Sequence, residues 1–113
     1  MFHGTNKIAI NGIIQTGFNL RYAKRGAFGH PGIYMSELAQ KADQYTDSRK
    51  RRSTDLYMFV VRVALGKTEM FENKIAGDGY DTIVGGTTKL YREFVKFDTT
   101  QIYPEYLIHY DRC

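Results

Sequence analysis

Apolar positions change their rhythm partway along the chain. In residues 6–16, Ile10, Ile13 and Ile14 recur at the spacing of one helical face, and Gly17 follows where a helix would stop. Residues 18–31 are interrupted by glycines and basic side chains and read as a long, adaptable loop. Ser36 is placed to cap a second helix, with Glu37 in its first turn and Leu38, Ala42 and Tyr45 on one side. From Leu56 the helical spacing gives way to strands. Residues 56–65 form an unbroken apolar run, as in a strand covered on both faces, and Gly66 ends it. Shorter strands are predicted at 81–84, 93–97 and 101–110, where Pro104 implies an edge or a bulge. Residues 68–79 read as a polar loop. Helices first and strands afterwards imply an α+β class with a mainly antiparallel sheet and two short helices.

The 113 residues suffice for one core, and 42% hydrophobic with 25% charged residues excludes a disordered chain. No apolar run reaches the roughly 18 residues of a membrane span, so a membrane partner is not expected. Cys113 is the sole cysteine, which excludes an intrachain disulfide and favours an intracellular setting. Sixteen Lys and Arg against twelve Asp and Glu give a net charge of +4. Much of the excess sits in Arg49-Lys50-Arg51-Arg52, which reads first as a solvated loop and second as a nucleic-acid patch. No aromatic residue interrupts that run to offer a stacking surface.

Familiar motifs fail in turn. Leu65-Gly66-Lys67-Thr68 lacks the glycine a phosphate loop needs five residues earlier, where Val61 stands. Gly26, Gly29 and Gly32 do not join a strand to a helix in a βαβ unit. His3, His30 and His109 have no metal-ligand spacing, and neither a Gly-x-Ser-x-Gly elbow nor a Cys-His pair is present. No metal is expected.

Three segments remain: Phe2-His3-Gly4-Thr5, Gly32-Ile33-Tyr34-Met35-Ser36 and Tyr91-Arg92-Glu93-Phe94-Val95. Each sets one chemically able residue among strand-forming neighbours. Taken in order they resemble the His-Tyr-Glu signature of the poly(ADP-ribose) polymerase family, which transfers ADP-ribose from NAD. Gly79-Tyr80-Asp81-Thr82-Ile83-Val84-Gly85 and Gln101-Ile102-Tyr103-Pro104-Glu105-Tyr106-Leu107-Ile108 extend the likeness, and these two stretches are most similar to tankyrases. The resemblance implies the ADP-ribosyltransferase fold in a single catalytic domain over residues 1–113. That domain is minimal or trimmed, since the chain opens at the His-Gly-Thr strand without the usual upstream strand and helix.

The resemblance also implies roles. His3 would bond an NAD ribose hydroxyl, and the backbone of Gly4, beside Thr5, would hold the carboxamide. Tyr34, in the Gly32-Ile33-Tyr34 match, would pack on nicotinamide, with Tyr45 as the second stacking ring eleven residues on. Lys41 takes the place of an active-site lysine, Arg21 matches an arginine of the donor loop, and Glu93 would be the catalytic carboxylate. The chemistry is consistent with one carboxylate. Nicotinamide leaves already cationic, and a carboxylate engaging the sugar hydroxyls stabilises an oxocarbenium-like transition state. Two departures stand out. Ala42 replaces a serine that bonds the carboxamide, worth about 0.5–1.5 kcal/mol, and the loop before Gly32 is one residue longer than usual. NAD is the implied donor, as substrate, and the acceptor, whether protein, nucleic acid or small molecule, is left open. Mono- and poly-ADP-ribosylation are both open, as are NAD hydrolysis and a non-catalytic NAD- or ADP-ribose-binding module.

Overall fold

The computed structural model describes residues 1–23, 31–47, 50, 52–70, 80–86 and 92–113. Half of the loop expected at 18–31, half of the basic run at 49–52 and most of the loop at 68–79 thus fall outside the described residues.

The first helix forms where the isoleucine spacing places it, with α1 at Lys7–Thr16. Asn6 caps it by accepting the Ala9 N–H at 2.9 Å, and Gly17, at φ 79°, closes it by donating its N–H to the Ile13 carbonyl at 2.8 Å. Ile10 is buried and Ile13 half-buried, but Ile14 is 57% exposed, against expectation. The arc of α1 that meets the core is centred on positions 10 and 13, and one further residue rotates by about 100° out of it.

Strands β1 (Phe2–Thr5), β3 (Leu56–Val63) and β7 (Ile102–Tyr110) form one antiparallel sheet in the order β1-β3-β7. A second sheet has the order β2-β6-β5-β4, from β2 (Ile33–Met35), β6 (Glu93–Lys96), β5 (Thr82–Gly85) and β4 (Thr68–Glu69). Among the described residues only β4 and β5 pair in parallel. The α+β class therefore holds, with the described strands in two sheets in place of one. Thr68 and Glu69, expected in a loop, are that short parallel strand.

Pro104 acts as expected. Strand β7 is an edge of its sheet, and the register steps from Val60↔Tyr106 to Val61↔Pro104, leaving Glu105 as the extra residue of a bulge. Strand β3 is covered on both faces only over its first half, because Arg62 is exposed and Val60 half-buried. The core lies between the sheets. Phe59 and Val61 come from one, Ile33, Met35, Val84 and Phe94 from the other, with Ile10 and Phe18 from α1 and the segment after it. A backbone bridge joins the sheets directly: the Phe2 N–H donates to Ser36 at 2.7 Å and the Ser36 N–H returns to Phe2 at 3.0 Å.

That bridge corrects the second helix. Ser36 is held extended, so α2 begins only at Ala39 and runs to Ala42, continuing as a 3₁₀ turn over Asp43–Tyr45. The Ser36 hydroxyl does accept the Leu38 N–H at 3.2 Å, but it turns the chain ahead of the helix and donates to the Arg92 carbonyl at 2.9 Å. Leu38, placed on the inner side by its spacing, is exposed as a result, while Ala42 is buried.

Candidate active site

Strand alternation decides which residues meet. On β6, Glu93 and Val95 share one face, and Phe94 and Lys96 the other. Phe94 joins the main core, so Glu93 faces the opposite side. Tyr34 pairs with Val95 across β2 and β6 and packs with Ile83, Val95 and Phe97 on that same side. Tyr34 and Glu93 are thus neighbours on one face of the second sheet. Because β6 is an interior strand, Glu93 is only 3% exposed, which removes the ordinary reading of a carboxylate on a wet edge.

A buried carboxylate needs partners. Residues 41–45 supply them. The Tyr45 hydroxyl donates to Glu93 Oε1, and Lys41 Nζ lies 4.0 Å from Glu93 Oε2. Lys41 is itself steadied by Gln44 Oε1 at 3.2 Å and lies 5.9 Å from the Tyr45 ring centroid. An ionised carboxylate offers about four acceptor directions, so these two partners leave room for substrate hydroxyls. The turn that carries Tyr45 is anchored from behind. Asp43 accepts from the Tyr110 hydroxyl and from Arg112 Nε at 3.0 Å, and Arg112 also donates to the Thr46 hydroxyl at 3.2 Å. Burial and this carboxylate push the Tyr110 phenol up to about 12.

Close backbone packing brings β1 against the same turn. A Cβ on Gly4 would lie 2.8 Å from the Ala42 carbonyl carbon and 3.4 Å from Tyr45 Cβ, so only glycine admits α2 at this distance. Gly32 likewise stands where a Cβ would come within 2.6 Å of Val95 Cγ1. Both glycines of the matched motifs thus have a packing reason to be there. His3, next to Gly4, bonds the Tyr34 carbonyl through Nδ1 at 2.7 Å. A carbonyl only accepts, so Nδ1 carries the proton and Nε2 is left as an acceptor. Burial pushes the imidazole below its usual range despite that hydrogen bond, keeping it neutral. Its ring stands edge-on to Phe18, with centroids 5.0 Å apart.

Glu93, Lys41, Tyr45 and Gly4 are therefore in one contiguous group, with Tyr34 on the same sheet face as Glu93 and His3 tied to Tyr34. Thr5 is buried in β1 opposite Tyr57. Arg21 stands apart on an exposed 3₁₀ turn, Leu20–Tyr22, and no side-chain contact joins it to the group among the described residues. Two contributors escaped the sequence reading. Ser36 ties the residue before Glu93 to the segment leading into α2, and Arg92 makes a bidentate pair with Glu37 across the same gap. The signal for Arg92 was its opposite charge to Glu37, which has meaning only once β2 and β6 are paired. Among the described residues no cluster of His, Cys, Asp or Glu could hold a metal, and no helix is long and apolar enough to cross a membrane.

Residues 1–82 match the poly(ADP-ribose) polymerase catalytic domain. The chain belongs to the poly(ADP-ribose) polymerase catalytic-domain family. It is also similar to human protein mono-ADP-ribosyltransferase PARP12, at 31% identity over 97% of this chain. The chain spans 16% of that relative's length. The family match covers β1, which bears His3 and Gly4, and β2, which bears Tyr34, while β6 with Glu93 lies beyond its end at residue 82.

Proposed function

We propose that this chain is an NAD-dependent ADP-ribosyltransferase domain, with Glu93 as the catalytic carboxylate. The observation that carries the reading is the burial of Glu93 on an interior strand, with Tyr45 and Lys41 as its partners. A carboxylate held dry and oriented stabilises a developing positive centre far better than one in water. The chemistry that bound NAD supplies is a leaving group already cationic at its nicotinamide nitrogen. Glu93 would engage the ribose hydroxyls and polarise the acceptor. His3, neutral and with Nε2 accepting, suits a ribose hydroxyl donor. The Gly4 backbone would hold the carboxamide, and Tyr34 and Tyr45 would supply rings for nicotinamide. Lys41 would hold Glu93 in place. Thr5, Gly32 and Arg21 take supporting parts at most, the first two through packing.

The name of the human relative favours transfer of a single ADP-ribose unit. The tankyrase likeness of the closing strand belongs to sequence, and the complete His3, Tyr34 and Glu93 set is compatible with chain elongation. Product length on a gel separates the two. Glu93→Gln keeps shape and removes charge, so incorporation of labelled ADP-ribose is expected to fall by about a hundredfold or more while circular dichroism stays native. Undiminished incorporation would sink the assignment. Nicotinamide release without incorporation would mark an NAD hydrolase, and tight NAD binding with neither product a binding module.

A further inference from the structure

Alternation along β6 turns Lys96 inward, beside Phe94, where no solvent reaches it at all. Its ammonium donates to the Ala64 carbonyl at 2.8 Å, the Asp81 carbonyl at 3.1 Å, the Thr82 hydroxyl at 3.1 Å and Gln101 Oε1. Three N–H groups shared among four oxygens leave no proton idle. All four oxygens are neutral. Asp81 and Asp98 act on the ammonium only through space, and burial pushes its pKa below the usual lysine range. A cation buried without a touching counter-ion is expensive, so its surroundings must hold it tightly.

The four oxygens come from both sheets. Thr82 begins β5 and Asp81 precedes it, in the same sheet as Lys96. Ala64 lies just past the end of β3 and Gln101 just before β7, in the other sheet, and the Ala64 N–H donates to the Gln101 carbonyl at 2.9 Å. The Phe2–Ser36 bridge joins the two sheets beside the site, and Lys96 joins them again about 10 Å along β6 from Glu93, at three residues' rise. The sheets divide the site between them: His3 and Gly4 ride on β1 of one, Tyr34 and Glu93 on β2 and β6 of the other.

We propose that Lys96 is a positioning residue, an internal ammonium pin between the sheets that fixes how the His3 half of the site stands to the Glu93 half. The activity arm of its test rests on the transferase reading above. Lys96→Met in the full chain keeps an unbranched side chain as far as Cε and removes the ammonium. At a temperature where circular dichroism shows the variant folded, kcat/KM for NAD is expected to fall by about tenfold or more, since sub-ångström misplacement is costly in a preorganised site. Lys96→Ala lacks the atoms of n-propylammonium, and that cation, unlike neutral n-propanol, is expected to restore part of the loss. A folded Met variant with kcat/KM within about twofold of wild type overturns the proposal. Should the Met variant not fold, Gln101→Met removes one oxygen with little change of shape. A loss of about threefold is then expected, and no loss overturns the pin. If the wild-type chain turns over no NAD, only the transferase reading falls. The pin is then read from amide exchange at Ala64 and Thr82. Faster exchange in Gln101→Met supports it, and unchanged exchange overturns it.

Discussion

Gly4→Ala adds one methyl group where the structure has no room for it. The new Cβ would lie 2.8 Å from the Ala42 carbonyl carbon, against about 3.5 Å for a comfortable carbon–carbon contact. Either β1 or the α2 turn must therefore move by at least about 0.7 Å, and more along the carbonyl oxygen. Strand β1 is held by four paired positions on β3, whereas α2 is a single turn, so α2 is the element that gives. Overpacking of this kind costs about 1–3 kcal/mol, or an unfolding midpoint lower by about 4–12 °C for a domain of this size. The displaced turn carries Lys41 and Tyr45, so their hold on Glu93 shifts with it. Transfer of labelled ADP-ribose is expected to fall by about a hundredfold, the cost of misplacing catalytic groups by about 1 Å. Gly12→Ala is the control, because a Cβ there meets nothing within 4 Å and the helix should gain about 0.5–1 kcal/mol. Thermal unfolding and an incorporation assay run well below both midpoints read the two effects separately. A Gly4→Ala protein with a wild-type midpoint and wild-type incorporation would refute the claim that this glycine is there to admit α2.

Two further changes probe the same group. Tyr45→Phe keeps the ring but removes the hydroxyl donated to Glu93, and denaturant unfolding should show a loss of about 1.5–3 kcal/mol, the range for a bond to a charged group. An unchanged midpoint would mean that Glu93 does not depend on that bond. His3 bears on pH dependence. Its imidazole pKa lies below 6.5 in the folded chain because of burial, so the unfolded chain binds the proton first. Stability from this residue is complete above pH 6.5 and is lost as pH falls toward the folded value, with a slope of at most about 1.4 kcal/mol per pH unit. Denaturant unfolding between pH 7.5 and 5.5 should show a weaker slope in His3→Asn than in wild type, and equal slopes would refute it.

Local pattern was enough wherever one residue's environment is set by its near neighbours. The isoleucine spacing placed α1 almost to the residue, and Pro104 announced the irregularity of β7 because a missing N–H is a local fact. Ser36 shows the opposite case. Its hydroxyl suits a helix cap, but its backbone is claimed by Phe2 and its side chain by Arg92, fifty-six positions away, and those long-range bonds delay the helix to Ala39. Arg21 matched a motif and yet sits on an exposed turn, because motif position says nothing of where the loop carries it. Lys96 was readable in part. Alternation puts it on the face of Phe94, a conflict between charge and burial that local reasoning can flag. The four oxygens that resolve the conflict come from segments no pattern in the sequence joins.

The same logic explains why residues that never touch the carboxylate govern the site here. Glu93 is costly to bury alone, and the groups that offset the cost sit about fifty residues earlier, on a turn with one short helix to stiffen it. That turn has little intrinsic stability, since a single helical turn fixes many dihedrals for few bonds. Its position must come from what holds it and its lead-in: Gly4 beneath Ala42, the Ser36 hydroxyl accepting the Leu38 N–H, and Arg112 with Tyr110 on Asp43. Each contact moves Lys41 and Tyr45 relative to Glu93 without touching the carboxylate. Loss of transfer should therefore track the displacement of this turn more closely than the loss of charge around it, which makes a methyl group at position 4 a sharper perturbation than removal of the exposed Arg92–Glu37 pair, worth about 0–1 kcal/mol.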